Sequence, residues 1–438
     1  MKHLPETARR RVFWLVDSLS GGKIKKHLEE IRRLIERGDS PWSLRRKKEM
    51  LTALLRHAIA TTSFYSGKSP SAELSDFPVV SKMIIRESAD RFQSSQFDAS
   101  DRLDVFTSGS TGTPFQVSHS RNKKLRNSAD TIYFARMAGF DIGHRVLYMK
   151  VWAQEKMNSP LHYIMQNVIP VDVLHYNEAA IEKNLKILRK DSSRFGILGY
   201  ASALDLLAKY LDEAPDSNAP GNVKSIIAIS EALNDYTRNT LQRYFDVPVV
   251  SRYSNQENGI LAQQEPNGLP RFLVNTASYV IETLKLDSDD DAQAGELGRI
   301  VVTDLFNYAM PMIRYDTGDV GALTTDLTQP GKLFLATVEG RKLDLLYDTT
   351  GNLVSSFIVY KNMWKYPEII QYQLIQEGER CYRFKVNIPG LFTREMELVD
   401  DFKLYLGADA EVVIEYVSEV PLLASGKRKK IVNHYRKS

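Results

Sequence analysis

The stretch "FGILGYASALDLLAKYL" (195–211) runs from an apolar strand-like segment, 195–200, directly into one whose apolar residues fall at helical spacing, 201–211. The pattern recurs downstream. "VKSIIAIS" (223–230) reads as a strand, "LNDYTRNTLQRYF" (233–245) as a helix and "VPVVSRY" (247–253) as a strand again. Upstream, "RVLYMKVW" (145–152) is also strand-like. Strands alternating with helices predict an α/β fold, with a mainly parallel sheet and helices on its faces.

Toward the N-terminus, "KIKKHLEEIRRLIERG" (23–38) predicts a helix closed by Gly38. A second helix is expected over "SLRRKKEMLTALLRHAIATT" (43–62), with Ser43 as its N-cap, and a third over "NKKLRNSADTIYFARMAGF" (122–140). Toward the C-terminus, "LDSDDDAQAGELG" (286–298) reads as an acidic turn between two strands, "YVIETLKL" and "RIVVTDL". A sugar-nucleotide D-x-D could be drawn within Asp287–Asp291, but a solvated hairpin loop explains it with less. "DEAPDSNAPGN" (212–222) is a surface loop by composition. Beyond about residue 340 the chain changes to short strands and helices, the pattern of a smaller α+β domain.

At 438 residues with 43% hydrophobic content, the chain can bury a large core in two or more domains. A net charge of +4 gives no argument for nucleic acid as a partner. The charge is uneven: Met1 to His57 holds 15 Lys/Arg against 7 Asp/Glu. Interleaved acidic and apolar residues make these runs solvated helix faces, and such faces also suit peripheral contact with an anionic membrane. One cysteine, Cys381, precludes an intramolecular disulfide and fits a reducing, cytoplasmic setting. No apolar run reaches the roughly 20 residues of a spanning helix. "VFWLV" (12–16) lacks a signal-peptide cleavage pattern. Monomer and homodimer are both compatible with the sequence.

Four motifs bear on function. "TSGSTGTP" (107–114) packs hydroxyls and glycines into a loop that could cradle phosphate or be an ordinary polar turn; it lacks the P-loop spacing. "SRYSNQENG" (251–259) sets Tyr253 four residues before Glu257. "MPMIRYDTGDVG" (310–321) combines Arg314 with Asp319 around a turn, and "LASGKRKKI" (423–431) places Lys427 after a glycine. No H-x-x-x-D, no H-E-x-x-H and no Cys/His cluster with metal-ligand spacing occurs.

In this order and at these separations, the four stretches resemble the adenylate-forming superfamily of acyl-CoA synthetases, adenylation domains and luciferases. More narrowly, the chain resembles the phenylacetate–CoA ligases. "LLRHAIATTSFYSG" (54–67), "LSDFPVVSKMIIRES" (74–88) and "GELGRIVVTDLFNYAMPMIRYDTGD" (295–319) extend the likeness over most of its length. The resemblance implies a large N-terminal ATP- and acyl-binding domain, 1–335, whose first 62 residues form a basic helical lead-in. It also implies a small mobile domain, 336–438, with a hinge between Thr324 and Arg341.

The implied chemistry joins a carboxylate to the α-phosphate of ATP, with Mg²⁺, and passes the acyl group on. By resemblance, Thr107, Ser108, Gly109, Ser110, Thr111 and Gly112 hold the outer phosphates. Ser230, Glu231, Tyr253, Ser254 and Arg314 belong to the nucleotide site. Glu257 helps hold Mg²⁺, Asp319 takes the ribose hydroxyls, and Arg341 reaches the ribose and phosphate side. Lys427 bridges the reacting groups. Trp152 and Tyr200 are candidates for the acyl pocket, although both would serve equally as core residues.

Two departures stand out. Phe115 occupies a position where many superfamily members have lysine, a departure that suits the phenylacetate ligase branch, where that lysine is commonly missing. After Arg341, only Asp344 remains of a paired-aspartate segment, and "DTTGN" (348–352) makes a turn there. In this the chain looks like the branch associated with capsular-polysaccharide clusters. The acceptor implied is therefore either CoA or an amine or hydroxyl on a sugar or small molecule. A non-catalytic nucleotide-binding homologue is the reading from another class; the presence of Glu257, Asp319, Arg341 and Lys427 argues against it.

Overall fold

The computed structural model describes residues 5–107, 115–152, 160–213, 220–341, 346–354, 357–363, 365–366, 368–421 and 429–435. The chain divides into two compact units. The larger comprises Met1–Glu231, Thr237–Thr317 and Gly321–Val338, and the smaller Ala232–Tyr236, Gly318–Val320 and Glu339–Ser438.

Helices α1 (Glu6–Leu19), α2 (Lys23–Glu36) and α3 (Pro41–Thr61) open the larger unit. Short helices α4 (Lys82–Glu87) and α5 (Ala89–Phe92) follow, then the hairpin β1 (Arg102–Thr107) and β2 (Phe115–Ser120), then α6 (Arg121–Met137). Next come β3 (Arg145–Lys150), α7 (Pro160–Gln166), β4 (Val168–Asp172), α8 (Glu178–Lys190) and β5 (Phe195–Tyr200). The alternation continues with α9 (Ala201–Glu213), β6 (Val223–Ile229), α10 (Asp235–Phe245) and β7 (Val249–Asn255). Strands β8 (Gly259–Gln264), β9 (Phe272–Val274), β10 (Tyr279–Leu284), β11 (Gly298–Asp304), β12 (Tyr315–Thr325) and β13 (Leu333–Arg341) complete an eleven-stranded sheet, ordered β10-β11-β12-β13-β9-β8-β7-β6-β5-β3-β4.

Strands β4, β3, β5, β6 and β7 run parallel. This is the half-sheet expected from the alternation between 145 and 253. From β7 onward, β8, β9 and β13 pair antiparallel. β5 and β6 are buried along nearly their whole length, as strands covered on both faces must be. α9 supplies one cover, burying Ala201, Leu204, Leu207, Ala208 and Leu211 at helical spacing. The acidic segment joins β10 and β11 as an antiparallel pair.

The lead-in helices are part of the main core. Leu28, Ile31, Leu34 and Ile35 of α2 pack with Met50, Leu54 and Ala58 of α3, and with Tyr65, Phe77 and Phe134. Two local expectations need correction. The N-cap of α3 is Ser40, whose hydroxyl accepts from the Ser43 N–H at 3.2 Å; Pro41, with its φ already helical, starts the helix. Gly38 does not close α2, whose C-cap is Arg37. It serves a close approach instead, since a Cβ there would lie 2.2 Å from the Gly331 carbonyl oxygen.

The smaller unit contains β14 (Leu346–Tyr347), β15 (Leu353–Val354), α11 (Phe357–Met363), β16 (Gln371–Gln376), β17 (Cys381–Asn387), α12 (Glu395–Leu406), β18 (Glu411–Tyr416) and β19 (Ile431–Asn433). Its four-stranded sheet has the order β18-β17-β16-β19. Tyr366, Leu374, Phe384, Leu398, Phe402 and Leu406 form its core. Cys381 is exposed.

Candidate active site

In an open α/β sheet, ligands bind beyond the carboxyl ends of the parallel strands, where the backbone turns away and side chains are free to face a cleft. Several residues singled out in the sequence lie there. Trp152 follows β3, Tyr200 ends β5, Ser230 and Glu231 follow β6, and Tyr253 and Ser254 lie on β7. Ser230 is in the left-handed region at φ 71°, which turns the chain sharply off β6. The Glu231 carboxylate accepts from the Ser202 N–H at 2.8 Å, satisfying a donor in the first turn of α9. The Tyr253 hydroxyl reaches Thr317 Oγ1 at 3.4 Å.

The turn after β7 presents Glu257. Asn255 Oδ1 accepts from the Asn258 N–H at 2.8 Å, and Gly259 takes φ 112° to return the chain into β8. Two partners hold this turn from below. His119 Nε2 meets the Glu257 carbonyl at 2.7 Å, and the Tyr279 hydroxyl donates to the Asn258 carbonyl at 2.5 Å. Burial, reinforced by the positive charge of Lys123, lowers the His119 pKa, so the ring stays neutral and donates through Nε2.

Glu257 is 2% exposed, and its side chain has charged and polar company. The Tyr315 hydroxyl donates to Oε1 at 2.8 Å, and Lys82 Nζ stands 3.0 Å from the same atom. Lys82 is the first residue of α4, capped by Ser81. Lys82 lies in the 74–88 stretch, where the sequence alone assigns it no role. Nothing in local spacing could bring residues 82, 257 and 315 together.

The other candidates are placed as follows. Thr107 ends β1 directly opposite Phe115, the first residue of β2. Ser108, Gly109, Ser110, Thr111, Gly112 and Lys427 lie outside the described residues, as does the side chain of Arg341, which ends β13. Asp319 lies half-buried on β12. Arg314, at φ 48°, has its guanidinium engaged by Glu282 at 3.1 Å and the Phe77 carbonyl at 3.2 Å. Trp152 packs edge-on against Tyr148 and Tyr163, with Lys150 Nζ 4.1 Å from its ring centroid. Burial, with Tyr148 and Glu231 nearby, pushes the Tyr200 phenol up to about 12.

No protein-family model matches the chain. It is 21% identical to the protein CapK of Staphylococcus aureus, over 94% of this chain and 93% of that protein. Among solved structures, it superposes on 2-hydroxyisobutyryl-CoA ligase, in the postadenylation state in complex with R3-HIB-AMP, with a TM-score of 0.72 at 15% identity. That match covers 92% of this chain and 91% of the other. ATP-bound MatB from Rhodopseudomonas palustris matches with a TM-score of 0.54 at 15% identity, covering 77% and 68%. The anthranilate CoA ligase AuaEII in complex with anthranoyl-AMP also gives 0.54, at 14% identity, covering 76% and 67%. The fold is that of the adenylate-forming ligases.

Proposed function

We propose that this chain is an ATP- and Mg²⁺-dependent ligase that activates a carboxylic acid as its acyl-adenylate and passes the acyl group to an acceptor. The observation that supports it most is the buried Glu257, fixed in orientation by Tyr315 and Lys82 at the carboxyl end of the parallel sheet. Mg²⁺ favours hard oxygen donors and is commonly held by one or two carboxylates together with substrate phosphates. Glu257 fits that pattern as a single buried carboxylate, a hard oxygen donor held in orientation through its Oε1. When bound, the ion would neutralise phosphate charge.

In this reading Tyr253 stacks on adenine, with Ser230, Glu231 and Ser254 bordering the base. Asp319 accepts from the ribose hydroxyls; Arg314 and Arg341 belong to the ribose and phosphate side. Thr107, Ser108, Gly109, Ser110, Thr111 and Gly112 are assigned to the outer phosphates. Lys82 supplies a fixed cation beside Glu257, in a chain with Phe115 where many relatives of this fold have lysine. Lys427, on the smaller unit, meets charge that develops only as the carboxylate attacks the α-phosphate, so its contribution falls on the transition state.

For the acceptor, CoA is the first reading, since 2-hydroxyisobutyryl-CoA ligase has been crystallised in complex with CoA in its thioesterification state. An amine or hydroxyl on a sugar precursor is the second, favoured by the segment after β14. Asp348 Oδ1 there accepts from the Thr350 N–H, the Thr350 hydroxyl and the Asn352 N–H at 2.8–2.9 Å, building a tight hairpin turn in place of the acidic segment of phenylacetate–CoA ligases.

The test is carboxylate-dependent ATP–pyrophosphate exchange over a broad acid panel without CoA, for wild type beside Lys427→Ala and Glu257→Gln. Exchange that requires an acid and falls by orders of magnitude in both variants supports the reading. ATP binding without exchange for any acid, with or without candidate acceptors, leaves a nucleotide-binding homologue.

Among the described residues no helix is long and apolar enough to cross a membrane. We infer that α1 nonetheless meets an anionic membrane surface. Val12, Leu15, Val16 and Leu19 form one stripe at helical spacing and are 52%, 59%, 56% and 80% exposed. Arg11 and, across the turn, Lys23 and Lys25 are exposed beside it. Asp17 fixes that turn by accepting from the Ile24 and Lys25 N–H groups. Apolar stripe and cations together match an interfacial helix. Vesicle sedimentation that shows no dependence on anionic lipid, or none on Leu15→Ser/Val16→Ser, refutes it.

A further inference from the structure

The register of the parallel strands assembles a row of side chains on one face, at their carboxyl ends. Tyr200 pairs with Ile229, and Ile229 with Arg252. Lys150 follows Met149, whose partner is Gly199, so it falls beside Tyr200 in the same row. The row behind is Tyr148, Leu198, Ile227 and Val250. Two cations thus stand on a floor that is otherwise aliphatic and aromatic.

Arg252 is 8% exposed. Its Nε donates to Gln263 Oε1 at 2.8 Å, but Nη2 is buried with no hydrogen-bond partner. No carboxylate faces it among the described residues; Tyr148 is the titratable neighbour, and burial pulls the guanidinium down to about 10. Lys150, half-buried, has its ammonium 4.9 Å from the Tyr148 ring centroid and 4.1 Å from that of Trp152, and no ion pair among the described residues. A desolvated guanidinium without an anion is costly, and its planar fork matches an oxyanion that the protein itself does not provide.

Resting on the ligase reading, we propose that Arg252 binds a second anionic group on the acid to be activated. The substrate is then a carboxylic acid that carries another carboxylate or an equivalent oxyanion. Lys150 adds positive potential along the same row, and Tyr148 and Tyr200 share that face of the sheet with it. The position accords with the chemistry, because Arg252 immediately precedes Tyr253 and lies five residues before Glu257. An acid anchored at Arg252 would have its other end toward the nucleotide residues.

The experiment uses the full chain and pairs of acids matched in length, one ending in methyl and the other in carboxylate: butyrate with succinate, valerate with glutarate, octanoate with suberate. ATP–pyrophosphate exchange is measured for wild type, Arg252→Met and Arg252→Lys. Wild type is expected to favour the dianionic member by about 100-fold or more in kcat/KM, as sites built around a buried polar group do. Arg252→Met should bring the ratio to about one or below, and Arg252→Lys should keep part of it. Equal use of both members by wild type, or an unchanged ratio in Arg252→Met, overturns the proposal. Exchange with no acid at all would count against the ligase reading separately. Thermal shift with AMP then decides: stabilisation by dianionic acids that is lost in Arg252→Met supports the site, and its absence in wild type refutes it. If Arg252→Met fails to fold, the wild-type ratio and the lysine variant still decide.

Discussion

Lys123 on α6 and Asp304 at the end of β11 form an ion pair of 2.7 Å in which both side chains are 0% exposed. Lys123 also donates to the Tyr279 hydroxyl at 2.9 Å, and Asp304 Oδ1 accepts from the Phe306 N–H at 3.0 Å. At an effective dielectric constant of about 20, two charges at this separation attract by about 6 kcal/mol. Desolvation of the two ions opposes this by several kcal/mol each, so the intact pair is worth little against an apolar replacement. Removing one partner strands the other. Lys123→Met and Asp304→Leu should therefore each destabilise by about 3–5 kcal/mol. The double variant should cost only about 1–3 kcal/mol, mainly for the orphaned Phe306 N–H, because the Tyr279 hydroxyl keeps its bond to the Asn258 carbonyl. For a unit of roughly 330 residues, 1 kcal/mol corresponds to about 1.5 °C in Tm, so each single change lowers Tm by roughly 4–7 °C. Tryptophan fluorescence in urea suits the measurement, with Trp14, Trp42 and Trp152 all in the larger unit. A coupling energy below about 1 kcal/mol would refute the assignment of Lys123 and Asp304 as a mutually dependent buried pair.

Tyr315→Phe removes the hydrogen bond to the Glu257 carboxylate and should lower pyrophosphate exchange by about 10- to 100-fold, the worth of a bond to a charged group, with Tm little changed. Gly38→Ala forces a Cβ to within 2.2 Å of the Gly331 carbonyl and should destabilise by about 2 kcal/mol or more, whereas Gly221→Ala, which meets nothing within 4 Å, should not; thermal melts of both decide it. His27, His119 and His144 all have pKa values lowered from 6.5 by burial, so the unfolded chain binds protons that the folded one refuses. Their contribution to stability is therefore complete above about pH 7.5 and is lost as pH falls below about 6.5. Urea titrations between pH 5 and 8 should show that slope, reduced in His119→Gln.

The parallel half of the sheet was readable because strands buried on both faces are continuously apolar, and the helices between them keep a clean period, as in 195–211. Helix α1 falls within the basic helical lead-in expected over 1–62, but its bounds were not legible, since its apolar stripe of Val12, Leu15, Val16 and Leu19 faces outward. Helix α6 was read as a helix, but its burial of Lys123, Arg126 and Asp130 was not, because local pattern assigns charges to solvent. The same limit applies at the site. Glu257 stood out within its own short motif, whereas Lys82 and Arg252 acquire meaning only from strands and helices that meet in space. Gly38 shows the converse error: a glycine near a helix end suggests a cap, yet its missing side chain is needed by a loop almost 300 residues away.

Ser230 and Arg314 are both non-glycine residues held at positive φ, 71° and 48°. Each conformation costs an L-residue about 1–2 kcal/mol that glycine would not incur. A laboratory screen for heat-tolerant variants would thus be drawn to Ser230→Gly, and its winners would lack a hydroxyl beside the proposed adenine site. Selection for robustness alone and selection for turnover should diverge at this position. A survivor library sorted by both criteria would show glycine enriched in the first pool and depleted in the second.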